Sequence, residues 1–443
     1  MLFDLFRRPK GGGDDHAPGR GTDPRAGDAP NQGASVDGSG YLSYATHLDA
    51  QQRVKGYRLS WIGVANNGTG AGAILQLKNL VGFVIKHLKP EKRGWRLGGM
   101  ILYFDVPAEG LFLPELQALP PEKVVLCLSL EDLMDADTRS MLLFLREQGF
   151  GFMLRDALAL PADPELQEIL THVEVDARDP ALIDRLRGQQ SADCPPVQMI
   201  ASRLTSWADF DACALRHVDA FVDGEQVAPP VGEPGELKPE SMLIVRLMQM
   251  IQRNEDVRPI EAALKRDAAL TFRLLSHINS PAIGAGVEVH SLRHAVSMLG
   301  YTPLFRWLSL LLATSNRASS PFMMKKAIMR GRFVELMGQG MLPASESDNL
   351  FVVGMFSLID QLLGVSMEEV LDKVQLGESV QQAILAREGV YGPFLALAEA
   401  CERGASEAAH LSESLFMDAA RVNTAHLLAM AWAQDVSVSE PAR

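Results

Sequence analysis

The sequence has few of the motifs that hold metal ions, disulfides or a catalytic serine. It contains ten histidines, and none is followed by aspartate, so a His-Asp dipeptide that could anchor catalytic metal ions is missing. No Gly-x-Ser-x-Gly motif of a nucleophile elbow occurs. The four cysteines form no Cys-x-x-Cys pair and no Cys/His cluster: Cys127, Cys194, Cys213 and Cys401. We therefore predict no metal, no cofactor and no disulfide framework, and a reducing, cytoplasmic location.

Long hydrophobic runs and excess positive charge are also lacking. The most apolar run, residues 304–313, is shorter than the roughly 20 residues of a membrane span and contains Arg306. The first ten residues, MLFDLFRRPK, lack the apolar core of a signal peptide. A net charge of −13 argues against broad binding to nucleic acid, which requires a basic surface. These features predict a soluble protein without membrane insertion and without a nucleic-acid partner.

The composition divides the chain of 443 residues into four parts. Residues 1–44 are mostly Gly, Asp, Pro and Ser with little to bury, which is typical of a disordered tail. Residues 226–240 contain four prolines and read as a linker. Between these stretches we predict an α/β domain over residues 45–225, and after them an all-helical domain over residues 241–435. The apolar content of 47% is sufficient for buried cores in both domains.

Short apolar runs alternate with amphipathic segments in the first of these domains. Such alternation is typical of βαβ units and a mainly parallel sheet, here TIM-barrel-like. Seven strands rather than eight are predicted, so closure of the barrel stays open at this point. The predicted strands are residues 57–64, 100–106, 124–130, 150–154, 172–175, 198–202 and 220–222.

Stop signals define helices in the second domain. Residues 268–279 end before Ser280-Pro281, and residues 292–299 are followed by Gly300. Thr302-Pro303 reads as an N-cap with proline at the first helical position. Ser366, with glutamate three residues later, fits a capping box. The sequence thus predicts a helical array.

Four short stretches stand out in this helical part: Arg266-Asp267, the stretch LLSHINS at residues 274–280 with proline behind it, SLRHA from Ser291, and WLSLLL after Arg306. With these pieces the helical part closely resembles the HDOD domain, a relative of the HD phosphohydrolases that has lost the metal ligands. The resemblance implies a helical binding module rather than a catalyst. Arg306 is expected to reach an acidic partner or the surface.

The α/β part contains three characteristic stretches: QQRVKGYRLSW at residues 51–61, PPEKVVLCLSLEDL at 120–133 and DAFVDG at 219–224. With these pieces the α/β part resembles an EAL domain, the fold of cyclic di-GMP phosphodiesterases, and the chain as a whole resembles EAL–HDOD signalling proteins. The resemblance implies that acidic and amide side chains at the strand ends would hold two divalent cations. Such cations require oxygen ligands and activate water.

The residues at these positions differ from those that the resemblance requires, so that the EAL-like domain is predicted to be degenerate. Arg58 stands at the motif glutamate, Arg155-Asp156 at the aspartate pair, and Glu174 at the catalytic lysine. The other aligned positions are Asp105 for asparagine, Cys127 and Ser202 for glutamates, and Asp223 near the late glutamine. Arginines would repel cations from the site. The sequence therefore predicts no catalytic residues and a protein that is not an enzyme.

Two interpretations are open for the arginines at these vestigial positions. Arg58 and Arg155 could bind the phosphates of cyclic di-GMP, or they could pair with Asp105, Asp156 or Glu174 as an ion network, which is the favoured interpretation. We expect a non-catalytic signalling or scaffold protein that acts through protein partners of its HDOD and EAL-like domains. Binding of cyclic di-GMP without hydrolysis is the alternative, and residual phosphodiesterase activity is the third hypothesis.

Overall fold

The structure is a computed structural model, which describes residues 40–62, 70–88, 95–222, 239–278, 292–315, 320–404 and 406–435. Most of the predicted tail (1–39), most of the predicted linker (226–238) and Asp223 lie outside the described residues. Residues 41–44, predicted as tail, form the start of a strand. That boundary was wrong because Tyr41 and Leu42 are buried against other elements of the protein.

Eight strands close into a barrel in the order β1 to β8. Strand β1 runs antiparallel to β2 and β8, and the other neighbours are parallel. The predicted TIM-barrel-like class is therefore confirmed, with one strand more than the sequence indicated. The strands are β1 Tyr41–Leu48, β2 Val54–Ile62, β3 Ile101–Asp105, β4 Val124–Leu128, β5 Gly151–Leu154, β6 His172–Asp176, β7 Gln198–Ser202 and β8 Ala220–Val222.

A tight hairpin joins β1 to β2. The Asp49 carboxylate accepts hydrogen bonds of 2.9 Å from the backbone N–H groups of Gln51 and Arg53. Close packing continues at Gly56, where a Cβ atom would lie 2.2 Å from the carbonyl oxygen of Ile101. Glycine at this position lets β2 pair with β3 at the wall of the barrel.

Beyond the β1–β2 hairpin, helices connect the strands around the barrel, except between β3 and β4, where three short 3-10 turns make the connection. The apolar faces of the helices cover the outside of the strands, as the βαβ pattern predicts. The barrel helices are α1 Gly70–His87, α2 Leu130–Met134, α3 Arg139–Glu147, α4 Pro164–Ile169, α5 Ala181–Gln189 and α6 Trp207–Ala214.

The second half is helical throughout its described part. Ser366 caps α15 as predicted, because its side chain accepts from the Glu369 N–H. The N-cap of α11 is Gly300 and not Thr302, because the helix already begins at Tyr301. The helices are α7 Pro239–Gln252, α8 Val257–Leu264, α9 Ala268–Ile278, α10 Leu292–Leu299, α11 Tyr301–Ala313, α12 Pro321–Gly338, α13 Ala344–Phe356, α14 Ile359–Leu363, α15 Met367–Val374, α16 Glu378–Ala386, α17 Gly392–Glu402, α18 Ala408–Ser414 and α19 Ala419–Asp435.

One hydrophobic core runs from the barrel helices into the helical half. Strand β1 lies at the junction, where it contacts both α17 and α19. The Asn423 side chain on α19 accepts from the Leu42 N–H at 2.7 Å and donates to the Gly40 carbonyl at 2.9 Å. His426 is 3.1 Å from the Leu42 carbonyl. The outer face of a barrel strand is thus packed directly against the helical half.

Candidate functional site: the mouth of the barrel

The predicted site residues converge where the parallel strands end. Arg58 lies in β2, Asp105 ends β3, Glu174 lies in β6, and Arg155 directly follows β5. The carboxyl end of the strands is the face on which barrel enzymes place their functional groups. We refer to this end of the barrel as the mouth.

Arg58 bridges two carboxylates across the mouth. Its Nε donates to Asp105 at 3.0 Å, and its Nη1 donates to both oxygens of Glu174 at 3.1 and 3.2 Å. Burial would lower the pKa of Arg58, but the neighbouring carboxylates of Asp105 and Glu174 outweigh it and raise the pKa. Arg58 therefore stays charged and links β2, β3 and β6.

Asp105 lies between two arginines. Besides Arg58, the Arg155 Nη1 is 3.5 Å from its carboxylate. The Nε of Arg155 has no hydrogen-bond partner in the described part of the chain. Asp156, the next residue, instead pairs with Arg203, whose other terminal nitrogen lies 3.3 Å from Asp176. The pairing is thus divided into two groups, one around Arg58 and one around Arg203.

Asp156 and Arg203 share an uncommon backbone conformation. Their φ angles are 45° and 57°, in the left-handed region that side chains rarely adopt. Such residues concentrate at functional sites, where the surrounding structure holds them in place. Here their own ion pair joins the loop after β5 to the loop after β7.

Cys127 and Ser202 contribute little polar surface to the mouth. Both side chains are buried, and the Ser202 hydroxyl donates to the Val175 carbonyl at 3.4 Å. Burial raises the pKa of the Cys127 thiol. A buried neutral thiol is a poor nucleophile and a poor metal ligand.

A histidine and tyrosine pair fills the barrel beneath Arg58. His47 stacks on Tyr103 with 3.8 Å between ring centroids. Neither ring nitrogen of His47 has a hydrogen-bond partner among the described residues. Burial, and then the charge of Arg58, lowers the pKa of His47, so the imidazole is neutral. The pair gives the mouth an uncharged floor.

A pocket of about 380 Å³ opens beside Asp105 and Arg155. Its wall on one side is α1, including Leu77 and Gln76, and on the other side it reaches Trp61. The pocket combines apolar walls with a carboxylate and an arginine. Its volume lies within the range of small-molecule sites in proteins.

The residues at the mouth do not fit the divalent cations that the EAL resemblance implies. The carboxylates of Asp105 and Glu174 are both bound by the guanidinium of Arg58, so each is already paired with a positive charge. In the described ranges, no group of three or more His, Cys, Asp or Glu side chains could hold a metal ion. Two arginines at the opening add an unfavourable charge.

Sequence reasoning missed several residues of the mouth. Arg203 directly follows β7, and Asp176 is the last residue of β6. The same position at a strand end identified Arg155. That signal was available from the sequence for both. His47 could not be found in this way, because it lies on β1, the strand that was not predicted.

The comparisons with known proteins identify the helical half. Residues 238–382 match the HDOD domain family. The chain is also 25% identical over 349 residues to the cyclic di-GMP phosphodiesterase CdgJ of Vibrio cholerae serotype O1, with coverage of 76% of this chain and 79% of the relative. A second relative, the uncharacterized protein YuxH of Bacillus subtilis, is 21% identical and covers 58% of this chain and 65% of its own length.

Among solved structures, matches include the PaMucR phosphodiesterase in complex with c-di-GMP, with 14% identity, coverage of 41% of this chain and 93% of the other, and a TM-score of 0.33. Another is the Bacillus subtilis YkuI protein with an EAL domain, bound to c-di-GMP and calcium, with 10% identity, coverage of 41% and 52%, and a TM-score of 0.31. Similarity at this level carries no argument about function.

These findings confirm one prediction and correct another. The chain carries an HDOD domain in its C-terminal region, consistent with the EAL–HDOD organisation that the sequence resembles. The prediction that the protein is not an enzyme is wrong, because the comparison with the Vibrio cholerae relative contradicts it. A relative that matches most of the chain is named for cyclic di-GMP phosphodiesterase activity. The replaced positions at the mouth do not by themselves show a loss of catalysis.

None of the described helices is long and apolar enough to cross a membrane on its own. The pair Arg293–Leu299 and Tyr301–Ala313 reaches the required length and composition together, but the two helices are bent by 105°.

Proposed function

We propose that this chain, which carries an HDOD domain behind an eight-stranded barrel, is a cytoplasmic signalling protein whose helical half binds a partner protein. The observation that supports it is the packing of β1 against α19. Ala45 of β1 pairs with Arg58 across the β1–β2 ladder, while Leu42 of the same strand is held by Asn423 and His426. A change of conformation at the mouth would therefore reach β1, the strand that the helical half contacts directly.

Exposed apolar side chains on the helical half suggest where a partner would bind. Phe272 on α9 is 72% exposed and Phe416, between α18 and α19, is 95% exposed. Large exposed aromatic side chains are common at protein interfaces. On the barrel side, Leu158 is 81% exposed and offers a matched comparison.

Capture of partners with the full chain from the native host tests this proposal. Phe272→Ser and Phe416→Ser are expected to lose a partner that wild type retains, whereas Leu158→Ser is expected to keep it. Loss of the partner with Leu158→Ser alone would place the interaction on the barrel. Capture of no specific protein by wild type would contradict the proposal.

Cyclic di-GMP is a second candidate, as the ligand of the mouth. The pocket beside Arg155 favours it, because the Arg155 side chain lines the pocket, is 36% exposed, and a guanidinium binds phosphate oxygens through two parallel hydrogen bonds. The name of the Vibrio cholerae relative indicates the same ligand.

Isothermal titration with cyclic di-GMP measures this binding. Arg155→Ala is expected to weaken it by about tenfold or more. Arg185→Ala is the control, since Arg185 is an exposed residue of α5 that pairs with Asp179. Absence of binding to wild type would exclude the candidate.

Hydrolysis is measured in the same preparations, with Mg²⁺ and with Mn²⁺, by chromatography of the linear product. Product formation that Asp105→Ala abolishes would assign the reaction to the mouth. Product formation that this change leaves intact would come from elsewhere.

A further inference from the structure

A basic cleft lies between α7 and α8, in the helical half and separate from the barrel. It has a volume of about 350 Å³, and Arg246, Arg253 and Arg266 all line it. Arg246 lies on α7 and Arg253 directly follows its last residue, with its N–H donating to the Gln249 carbonyl at 3.0 Å, so the two arginines lie about two turns apart on one face. Arg266 comes from the residues just after α8.

The positive charge of this cleft is not balanced by the protein. Glu255 is the one acidic residue that lines it, so three guanidinium groups face a single carboxylate. Arg253 donates to the Gln375 side chain at 2.8 Å, and Arg246 and Arg266 form no ion pair with any described residue. Elsewhere in the protein exposed arginines do form ion pairs, as Arg139 does with Asp163.

An uncompensated cluster of this kind in a chain of net charge −13 indicates an anionic ligand. We infer that the cleft binds a small organic phosphate of nucleotide size. Guanidinium groups match phosphate oxygens in geometry as well as charge, and three of them suit a group that carries more than one negative charge.

The remaining lining accounts for the organic part of the ligand. Met250 is 8% exposed and forms an adaptable apolar surface next to Ala263 and Pro259. The Gln249 amide nitrogen donates to the Lys373 carbonyl, which holds this side chain of the lining in place. A volume of about 350 Å³ is at the small end of ligand pockets, so a compact molecule is favoured over an extended acidic peptide.

Isothermal titration of the full chain with guanosine monophosphate, adenosine monophosphate and pyrophosphate tests the inference. We expect at least one of the three to bind. Replacing each of the three arginines with glutamine should weaken that binding by about tenfold per position. Arg258→Gln is the matched control, because Arg258 is an exposed residue of α8 that does not line the cleft.

Two results would overturn the inference. One is that none of the three phosphates binds. If a poly-glutamate peptide binds instead, and binds more weakly to the arginine variants, the cleft recognises acidic peptides and the inference is also overturned. The other is that a phosphate binds with equal affinity to wild type and to the triple variant. Circular dichroism and melting temperature establish that each variant is folded before titration. The mouth candidates are independent of this result, because Arg155→Ala leaves the cleft unchanged.

Discussion

Arg306 shows how a single charged residue is accommodated in the core of the helical half. It lies on α11, which is otherwise largely apolar, and it is buried with Glu335. Its two terminal nitrogens donate to the two Glu335 oxygens at 2.6 and 2.9 Å, and its guanidinium lies 4.0 Å from the Phe351 ring centroid. The expectation that Arg306 reaches an acidic partner is confirmed.

Removing the partner of Arg306 should destabilise the protein strongly. Glu335→Ala leaves a buried guanidinium without its main carboxylate, which costs about 3–5 kcal/mol of unfolding free energy. Glu369→Ala removes the partly exposed pair with Lys373 and should cost less than about 1 kcal/mol. Urea denaturation of both variants measures the difference. Equal losses would contradict a structural role for the buried pair.

His426 makes the stability of the protein depend on pH. Burial lowers its pKa to about 4, and Glu402 and the Leu42 carbonyl offset only part of that effect. The ordinary pKa is about 6.5 in the unfolded chain, so the unfolded state binds more protons between these values. Stability from this group is complete above pH 6.5 and falls as the pH falls toward 4.

The expected loss from His426 is about 2 kcal/mol between pH 7.5 and pH 5. His426→Gln should reduce the difference in unfolding free energy between these two pH values by about that amount. The pKa values of buried His47 and of half-buried His172 are also lowered, so part of the dependence will remain. His410→Gln, at an exposed position, is the control and should leave the dependence unchanged. The same slope in both variants would refute this assignment.

At the scale of elements, the pattern of apolar residues predicted most of the secondary structure. Strands β7 and β8 and helix α10 have the predicted bounds. Strand β1 was not predicted because its residues face two different surroundings. The polar side chains Ser43, Thr46 and His47 are spread over both faces of the strand, and they are buried because the barrel and the helical half enclose both faces.

Helix α11 is an element whose position the sequence did indicate. Its nearly continuous apolar run predicted a central helix, and Leu308 is 1% exposed. Leu308→Asp would place an unpaired carboxylate in this core and is expected to unfold the helical half. Leu385→Asp is the matched control, because Leu385 on α16 is 53% exposed. Circular dichroism and melting temperature distinguish them, and a native-like Leu308→Asp would show that α11 is not essential.

At the scale of the whole molecule, the two halves share one core rather than meeting at a small contact. Trp95 donates to Gln434 at 2.9 Å, and Gln434 donates to the Leu97 carbonyl at 2.7 Å, near the C-terminal end of α19. Together with the Asn423 and His426 contacts, these bonds fix α19 against the barrel. The division into two domains remains a proposal. The packing of the barrel against the helical half is part of the fold.

A cut in the predicted linker tests this coupling. We expect the two fragments, produced by a specific protease at a site inserted within residues 226–240, to elute together from a sizing column under native conditions. Asn423→Ala removes the bonds to Gly40 and Leu42 and should make the fragments dissociate at lower urea concentration. The uncut chain is the control. Fragments that separate on dilution without denaturant would contradict a shared core.

The sequence by itself determined the order of strands β2 to β8, the helical character of the second half and its HDOD domain. These follow from local periodicity, helix stop signals and a contiguous motif, all of which lie close together along the chain. The tertiary structure decided the closure of the barrel by β1, the bridge from Arg58 to both Asp105 and Glu174, and the junction with α19. Each of these joins residues that are distant in sequence, such as Leu42 and Asn423. Which charge meets which depends on the registers of separate strands, and no local pattern records that.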